Sequence, residues 1–297
     1  MSNARLQEIA LLPLDQRAAR IAQLFAEEPN DWPAPRGPER PKPLRTLARG
    51  LAFWARPLRL PAALAALAAF AARKAFGASA APRQPLNADG FIGVAPAPNA
   101  EAALDLYAEG LYFDAFPGLA ALWSPPRRAI VRPAEALRLP RRALAETQAM
   151  TARFDRDFER LLDLCDARGA GLVRRPAFRA ALSELFALGF AHALDLRDGE
   201  ETRAGIVGVA IGGVFTVEGF FARDRAALSG AMAVLARHLA GLNFSAIDLR
   251  APSPQLYGLP LELIGRDKFV ALLAEPGGSR PGRWRETEAP RAEQQAA

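Results

Sequence analysis

The chain has 297 residues, of which 51% are hydrophobic and 24% charged, a balance that indicates a folded protein and argues against disorder over most of its length. Its single cysteine, Cys165, excludes a disulfide framework and a multi-cysteine zinc site, and with only two histidines a protein-only metal cage is not expected. All but three of the 38 basic residues are arginine, so the abundance of arginine by itself indicates no particular partner.

The basic charge is concentrated in the N-terminal third of the chain. Residues 1 to 88 contain 13 basic and 6 acidic side chains, whereas the remaining residues carry 25 bases and 26 acids. Between Arg36 and Arg83 ten basic residues stand against one acid, Glu39. This bias suits a polyanionic partner, such as an RNA backbone or an anionic membrane surface. A solvated, arginine-rich linker is the alternative interpretation.

The first 85 residues are predicted to form a helical, basic extension. Apolar residues at helical spacing predict two short helices between Ala4 and Glu28, and frequent prolines predict an extended connector over residues 29–43. Residues 44–76 follow as one or two helices with arginines beside an apolar face. Their longest uncharged run, Leu60 to Ala72, has 13 residues and is too short to span a bilayer. An interfacial helix on an anionic membrane and a helix that packs on its own domain both stay open.

Residues 86–275 are predicted to form a second domain of mixed helices and strands, and residues 276–297 a disordered tail. Apolar periodicity predicts helices at 100–110, 176–188 and 224–242, strands at 191–196, 205–221 and 246–249, and a final ordered segment around 268–273. The long strand is divided into a hairpin by the Gly212-Gly213 turn. This order predicts an α+β, or mixed α/β, fold.

Four stretches of this domain resemble, in order, the leucyl/phenylalanyl-tRNA–protein transferase family. The first is Tyr-Ala-Glu-Gly-Leu-Tyr at 107–112, followed by Trp123-Ser124-Pro125. The second is Leu-Gly-Phe-Ala-His at 188–192, with Asp195 three positions after the histidine. The third is the glycine-rich hairpin at 208–223, which contains Glu218, and the fourth is Ile247-Asp248. The resemblance covers little of residues 1 to 85.

The resemblance implies a fold of the GNAT acyltransferase type, with a central mixed sheet splayed around a substrate cleft. It implies an aminoacyltransferase that moves leucine or phenylalanine from aminoacyl-tRNA to the N-terminal amine of an acceptor protein with a basic N-terminus. The basic N-terminal region is then expected to contact tRNA phosphates. No cofactor is expected, the location is expected to be cytoplasmic, and a monomer is favoured.

Three residues are expected to carry the chemistry: Glu218, Asp248 and Arg250. The resemblance implies that Glu218 holds the cationic acceptor and that Asp248 assists deprotonation of the amine. A strand-end carboxylate paired with Arg223 or Arg225 is the alternative interpretation of Glu218, and a turn or capping aspartate is that of Asp248.

Several positions depart from the family pattern. Arg250 stands where the family has a glutamine, and a guanidinium cannot accept a proton. Arg250 is therefore expected to bind a phosphate or carboxylate, to donate to the oxyanion, or simply to pair with Asp248. The substrate site is expected to include six residues, two of which (Asp114 and Leu172) replace aromatic residues of the family: Trp123, Ser124, Asp114, Leu172, Phe215 and Phe220.

Two other functions remain open from the sequence alone. The same fold can act on another donor, such as acyl-CoA with its pyrophosphate near Arg223-Asp224-Arg225 at a helix N-terminus, or on a membrane-associated substrate. The chain can also be a non-catalytic relative that binds RNA or protein ends. His192 and His238 are expected to be structural, because His192 begins a strand after an apolar helix and His238 lies in the middle of a predicted helix.

Overall fold

A computed structural model describes residues 53–54, 59–76, 84–116, 119–136, 150–167, 176–251 and 259–275, together with Gly282 and Trp284. The helical pair expected at 4–28, the connector at 29–43 and Leu172 lie outside these residues. The helices of the described part are α1 (Leu60–Phe76), α2 (Ala100–Ala108), α3 (Pro133–Ala136), α4 (Phe158–Ala167), α5 (Pro176–Ala187), α6 (Arg225–Gly241) and α7 (Arg266–Ala274). The strands are β1 (Phe91–Ala95), β2 (Tyr112–Phe116), β3 (Leu119–Trp123), β4 (Arg127–Val131), β5 (Thr151–Phe154), β6 (Ala191–Asp198), β7 (Glu201–Ile211), β8 (Val214–Ala222), β9 (Ala246–Asp248) and β10 (Leu261–Gly265).

Seven strands form the central sheet, in the order β10-β4-β9-β8-β7-β6-β5. All neighbouring strands are antiparallel except β8 and β9, which run parallel. The predicted hairpin is present, with Ile211 paired to Val214 across the Gly212-Gly213 turn. Gly212 has a φ of 53°, which glycine adopts without the steric cost that a side chain adds. The predicted α+β class with a central mixed sheet is confirmed.

The two parallel strands separate after a short contact. Their register joins Val214 to Ala246, Phe215 to Ile247 and Thr216 to Asp248, after which β9 ends and β8 continues to Ala222. The chain beyond Asp248 stays beside β4, because Leu249 N donates to Ala129 O at 2.8 Å and Ala129 N donates to Arg250 O at 2.8 Å. A gap therefore opens between β8 and the segment after β9.

Helices cover both faces of the central sheet. Helix α6 begins at Asp224, whose carboxylate accepts from Ala227 N at 2.8 Å, and buries an apolar side against one face. Helices α2, α4 and α5 pack against the other face together with the small sheet. Helix α7 packs beside β4 and β10. The sheet is thus buried on both sides, as its nearly continuous apolar strands require.

A second, three-stranded antiparallel sheet has the order β1-β3-β2. One face contributes Ile92 and Leu122 to the core shared with α2, α4 and α5. The opposite face carries Phe91 and Trp123 and packs against Trp54 and α1. Helix α1 approaches through small side chains, Ala62, Ala63 and Ala66, which allow close contact. Part of the predicted N-terminal extension therefore packs on the small sheet, while the proposed boundary at residue 85 stays a prediction.

The opposite side of α1 faces solvent with apolar side chains. Leu60, Leu64 and Leu67 follow helical spacing and are 45%, 59% and 38% exposed, and Phe76 is 87% exposed. Within the described segments, no helix combines the length and the hydropathy that a bilayer span requires.

Candidate active site

Glu218 and Arg250 meet in the gap between β8 and the segment that follows β9. In the register of β7 and β8, Val207 pairs with Gly219 and Gly208 with Val217, so Glu218 is the extra residue of a β-bulge. Phe215 and Val217 belong to the core beneath α6, so the alternation along β8 directs Glu218 to the opposite face, where its carboxylate contacts the Arg250 guanidinium. The Glu218 side chain is 1% exposed and that of Arg250 is 17% exposed. The ion pair is therefore largely buried, and Arg250 is its more exposed partner.

Asp248 anchors the backbone of Arg250 from the end of β9. Its Oδ1 accepts from Arg250 N at 2.8 Å, and its Oδ2 accepts from Arg128 at 2.6 Å and from Thr216 Oγ1 at 3.3 Å. Asp248 is fully buried. Arg250 has a φ of 64°, in the left-handed region that is unfavourable for a residue with a side chain, and the bond from its N–H to Asp248 helps to hold it there.

Arg128 is the buried counter-ion of Asp248. Its side chain is 2% exposed, and its second nitrogen donates to Gly110 O. The guanidinium carbon lies 4.9 Å from the Tyr112 ring centre and 4.3 Å from that of Phe269. Gly110, with a φ of 74°, ends α2 and leaves its carbonyl available to Arg128. Cation–π contacts and hydrogen bonds offset the cost of burying this charge.

Two tyrosines border the charged residues and remain protonated. Burial raises the pKa of the Tyr107 phenol well above its usual value, and the neighbouring Glu218 carboxylate raises it further. Burial also raises the pKa of Tyr112 to about 12, although Arg128 and Arg250 oppose the shift. Burial alone lowers the pKa of Arg250, but the Glu218 carboxylate outweighs it and raises the pKa above its ordinary value. Arg250 is therefore a permanent cation.

A cavity of about 570 Å³ lies beside this cluster, and Tyr112 forms part of its wall. The Arg250 guanidinium lies 5.3 Å from the Tyr112 ring centre, and the next residue, Ala251, lines the cavity. Phe53 and Arg59, from the N-terminal region, line the same cavity together with Trp123 and Asp114. Arg59 pairs with Asp89 at 2.9 Å. Of the Glu218, Arg250, Asp248 and Arg128 side chains, that of Arg250 is the most exposed.

The predicted substrate-site residues occupy different places. Trp123 and Asp114 line the cavity, while Ser124 is buried at the corner that follows β3. Phe215 and Phe220 instead belong to the core beneath α6, on the sheet face opposite to Glu218. Leu172 is outside the described residues. The structure thus brings together Glu218, Asp248 and Arg250 and places Trp123 and Asp114 at the neighbouring cavity.

Two alternative pairings suggested by the sequence are wrong. Glu218 contacts Arg250 rather than Arg223 or Arg225, and Arg223 pairs instead with Glu201. Arg250 pairs through its side chain with Glu218, and it reaches Asp248 only through its backbone N–H.

The N-terminus of α6 is the position expected for the pyrophosphate of acyl-CoA, and an acidic side chain already caps it. The Asp224 carboxylate occupies it and also accepts from Arg203 at 2.9 Å. A pyrophosphate at this position meets a negative charge, which disfavours the acyl-CoA alternative.

The two histidines lie in a separate buried cluster. His192 Nδ1 is 2.9 Å from Asp155 Oδ2, and its ring stacks on Trp284 with the ring centres 3.9 Å apart. Trp284 N donates to the same carboxylate at 2.6 Å. His238 stacks on Phe154 at 4.0 Å, and burial lowers its pKa to about 4. Trp284 lies in the segment for which disorder was predicted, and its side chain is buried.

Sequence reasoning missed three contributors to the candidate site, namely Arg128, Thr216 and Tyr107. Arg128 follows the Trp-Ser-Pro motif and precedes the apolar residues Ala129 to Val131, and an arginine that begins such a buried strand is the available signal. Thr216 is two residues from Glu218 on the same strand and therefore shares its face before the bulge. Among the described residues, no three acidic, histidine or cysteine side chains form a group that could hold a metal ion.

Comparison with known proteins gives consistent matches over this domain. A protein-family model described as leucyl/phenylalanyl-tRNA protein transferase matches residues 131–274, which include Glu218, Asp248 and Arg250. The leucyl/phenylalanyl-tRNA–protein transferase of Xanthomonas euvesicatoria is 30% identical over 210 residues, covering 67% of this chain and 84% of that protein. The protein of the same name from Nitratidesulfovibrio vulgaris is 33% identical over 207 residues, covering 66% and 88%.

Among solved structures, a GCN5-related N-acetyltransferase from Anabaena variabilis aligns with a TM-score of 0.35 and 11% identity, covering 47% of this chain and 37% of that chain.

Proposed function

This chain belongs to the leucyl/phenylalanyl-tRNA–protein transferase family, and we propose that it transfers an amino acid from aminoacyl-tRNA to the N-terminal amine of a protein where β8 and β9 separate. The relatives named above carry this activity in their names and are covered over more than four fifths of their length. One observation supports this location for the reaction. The Glu218–Arg250 and Asp248–Arg128 pairs meet at this gap, beside a cavity with room for a substrate end.

The reaction itself requires little chemistry from the protein. The acceptor amine attacks the carbonyl carbon of the aminoacyl ester, and a new amide bond forms. The bond between this carbon and the ribose oxygen of the tRNA breaks, and the proton lost by the amine is balanced by the one that the ribose oxygen gains. Because the ester is already activated, fixing the amine at attack distance supplies much of the rate increase.

We assign the roles by exposure. Arg250 is the most exposed charged side chain of the cluster, and Glu218 fixes its guanidinium. Asp248 is fully buried and has donors on both oxygens. Its role is therefore to position Arg250 and the end of β9.

The preference for the first residue of the acceptor is where this chain departs from the family pattern. The resemblance implies a basic first residue held by Glu218, and in this chain Glu218 is already paired with Arg250. A basic acceptor thus competes with an internal cation. The acceptor experiment described below compares basic, uncharged and acidic first residues directly.

The N-terminal third is proposed to contact the tRNA. Its basic excess supports this assignment, and Arg59 and Phe53 at the cavity wall place part of this region next to the site. A cytoplasmic location, where charged tRNA is present, belongs to the same proposal.

A contact of residues 44–76 with an anionic membrane is a second proposal, favoured by the exposed leucines of α1 and by Lys74 beside exposed Phe76. Co-sedimentation with vesicles of zwitterionic lipid, with and without phosphatidylglycerol, tests it. Binding that needs the anionic lipid and is lost in a Leu64→Glu/Leu67→Glu variant supports the contact. Equal recovery with both vesicle types, or no recovery, rejects it.

Transfer of labelled leucine and phenylalanine from charged tRNA to an equimolar peptide mixture tests the proposed function. The mixture contains peptides with arginine, glutamine and glutamate as first residue, and an N-acetylated copy of each serves as the control. Label on the free-amine peptides alone supports the function. Wild-type protein that labels no peptide, although the tRNA stays charged throughout, contradicts it.

A further inference from the structure

We infer that Arg250 determines acceptor specificity, disfavouring an acceptor whose first side chain is basic and favouring one whose first side chain is acidic. The inference rests on the proposed function and concerns the residue class that the same site accepts. Arg250 takes the position at Glu218 that a basic acceptor side chain would need.

Arg250 limits access to Glu218. The Glu218 side chain is 1% exposed, and its carboxylate contacts the guanidinium of Arg250, whose side chain is 17% exposed. An incoming lysine or arginine side chain therefore reaches Arg250 before it reaches Glu218. Tyr107 beside this pair is neutral, and the cavity wall contributes two carboxylates, Asp114 and the Asp89 side chain that pairs with Arg59.

Arg250 is also held in place by its backbone and side-chain contacts. Its N–H donates to Asp248, its carbonyl accepts from Ala129 N at 2.8 Å, and its guanidinium lies 5.3 Å from the Tyr112 ring centre. Displacing it from Glu218 would leave a buried carboxylate without its partner and a cation to be accommodated elsewhere. The Glu218–Arg250 ion pair is thus a fixed feature of the site.

The charges of the two buried ion pairs cancel. Glu218 and Asp248 are compensated by Arg250 and Arg128, so the buried cluster is neutral. A basic first side chain adds an unmatched positive charge beside Arg250. An acidic first side chain instead brings a charge opposite to that of Arg250, whose Nε is buried and makes no hydrogen bond.

Three acceptor peptides that differ only in a first residue of Arg, Gln or Glu, each supplied separately with charged tRNA, test the inference. Wild-type protein is expected to transfer to the Glu peptide about 10-fold faster than to the Arg peptide, with Gln between them. Arg250→Gln frees Glu218 and is expected to reverse the order, because the unpaired carboxylate then attracts a cation. Arg250→Lys keeps a cation and is expected to keep the wild-type order at a lower rate.

Arg132→Gln is the matched control, because Arg132 also pairs across strands, with Glu262 at 2.9 Å, but does not contact Glu218. It is expected to keep the wild-type order. Ratios between peptides are compared within each variant, so a partial loss of folded protein does not change the result. Fastest transfer to the Arg peptide by wild type, or an unchanged order in Arg250→Gln, overturns the inference while leaving the proposed function intact. Absence of transfer to all three peptides overturns both.

Discussion

Arg128 donates to Asp248 at 2.6 Å, and both side chains are almost completely removed from solvent. Replacing Arg128 by Met leaves Asp248 as a buried charge without its main partner, which is expected to lower the free energy of unfolding by about 3–5 kcal/mol. Urea unfolding measures the change. Arg132→Met, which breaks the pair with Glu262 in which each side chain is about one third exposed, is the control and is expected to cost less than about 1 kcal/mol. Similar losses in the two variants would contradict the assignment of Arg128 as a buried anchor.

The turn between β7 and β8 tolerates only glycine at its first position. Gly212 and Gly199 have nearly equal positive φ angles, 53° and 55°, so alanine meets the same backbone strain at both. A Cβ at Gly212 also collides with the backbone carbonyl of Leu273, whereas one at Gly199 meets nothing within 4 Å. Gly212→Ala is expected to destabilise by at least about 2 kcal/mol more than Gly199→Ala. Equal melting temperatures would contradict the close approach of α7 to this turn.

His238 is expected to make the stability depend on pH. Burial lowers its pKa from 6.5 to about 4 in the folded protein, so the unfolded chain takes up the proton first as the pH falls. This contribution is fully present above pH 6.5 and is lost as the pH falls towards 4. Across this range, wild type is expected to lose on the order of 2 kcal/mol relative to His238→Gln. A constant difference between the two proteins would contradict the shift.

The basic N-terminal region is expected to set the salt dependence of tRNA binding. The logarithm of the binding constant should fall steeply with the logarithm of salt concentration. Neutralising five bases is expected to reduce the slope by about 4 if all of them contact phosphates, the five being Arg36, Arg40, Lys42, Arg45 and Arg49. An unchanged slope would favour the solvated-linker interpretation. Substitutions are preferable to deletion, because α1 covers apolar residues of the small sheet.

Local pattern predicted much of the second domain. The Gly212-Gly213 hairpin, the α6 helix after Asp224 and the strand that ends at Asp248 all correspond to observed elements. The small sheet was not predicted. Its central strand, Leu119–Trp123, is composed mainly of alanine and leucine, which favour helix, and it is a strand because β1 and β2 pair with it on both sides.

The side-chain pairs within the site could not be predicted either, because they too depend on contacts between segments that are distant in sequence. Glu218 lies close in sequence to Arg223 and Arg225, but it pairs with Arg250, which the β8–β9 contact brings near. The contact of Glu218 with Arg250 depends on the parallel register of β8 and β9, which no local pattern specifies. Arg128 was missed because a fully buried arginine is rare unless paired, and its partner is 120 residues away.

The most direct test of the account measures a single turnover of charged tRNA and acceptor peptide by wild type and Asp248→Asn. Because Asp248 fixes Arg250 and the end of β9, the variant is expected to be about 100-fold slower with its tRNA affinity unchanged within about twofold. Exposed Asp267→Asn is the control, and Thr216→Val, which removes one donor to Asp248, is expected to show a smaller loss in the same direction. A wild-type rate in folded Asp248→Asn would contradict the claim that the reaction takes place where β8 and β9 separate.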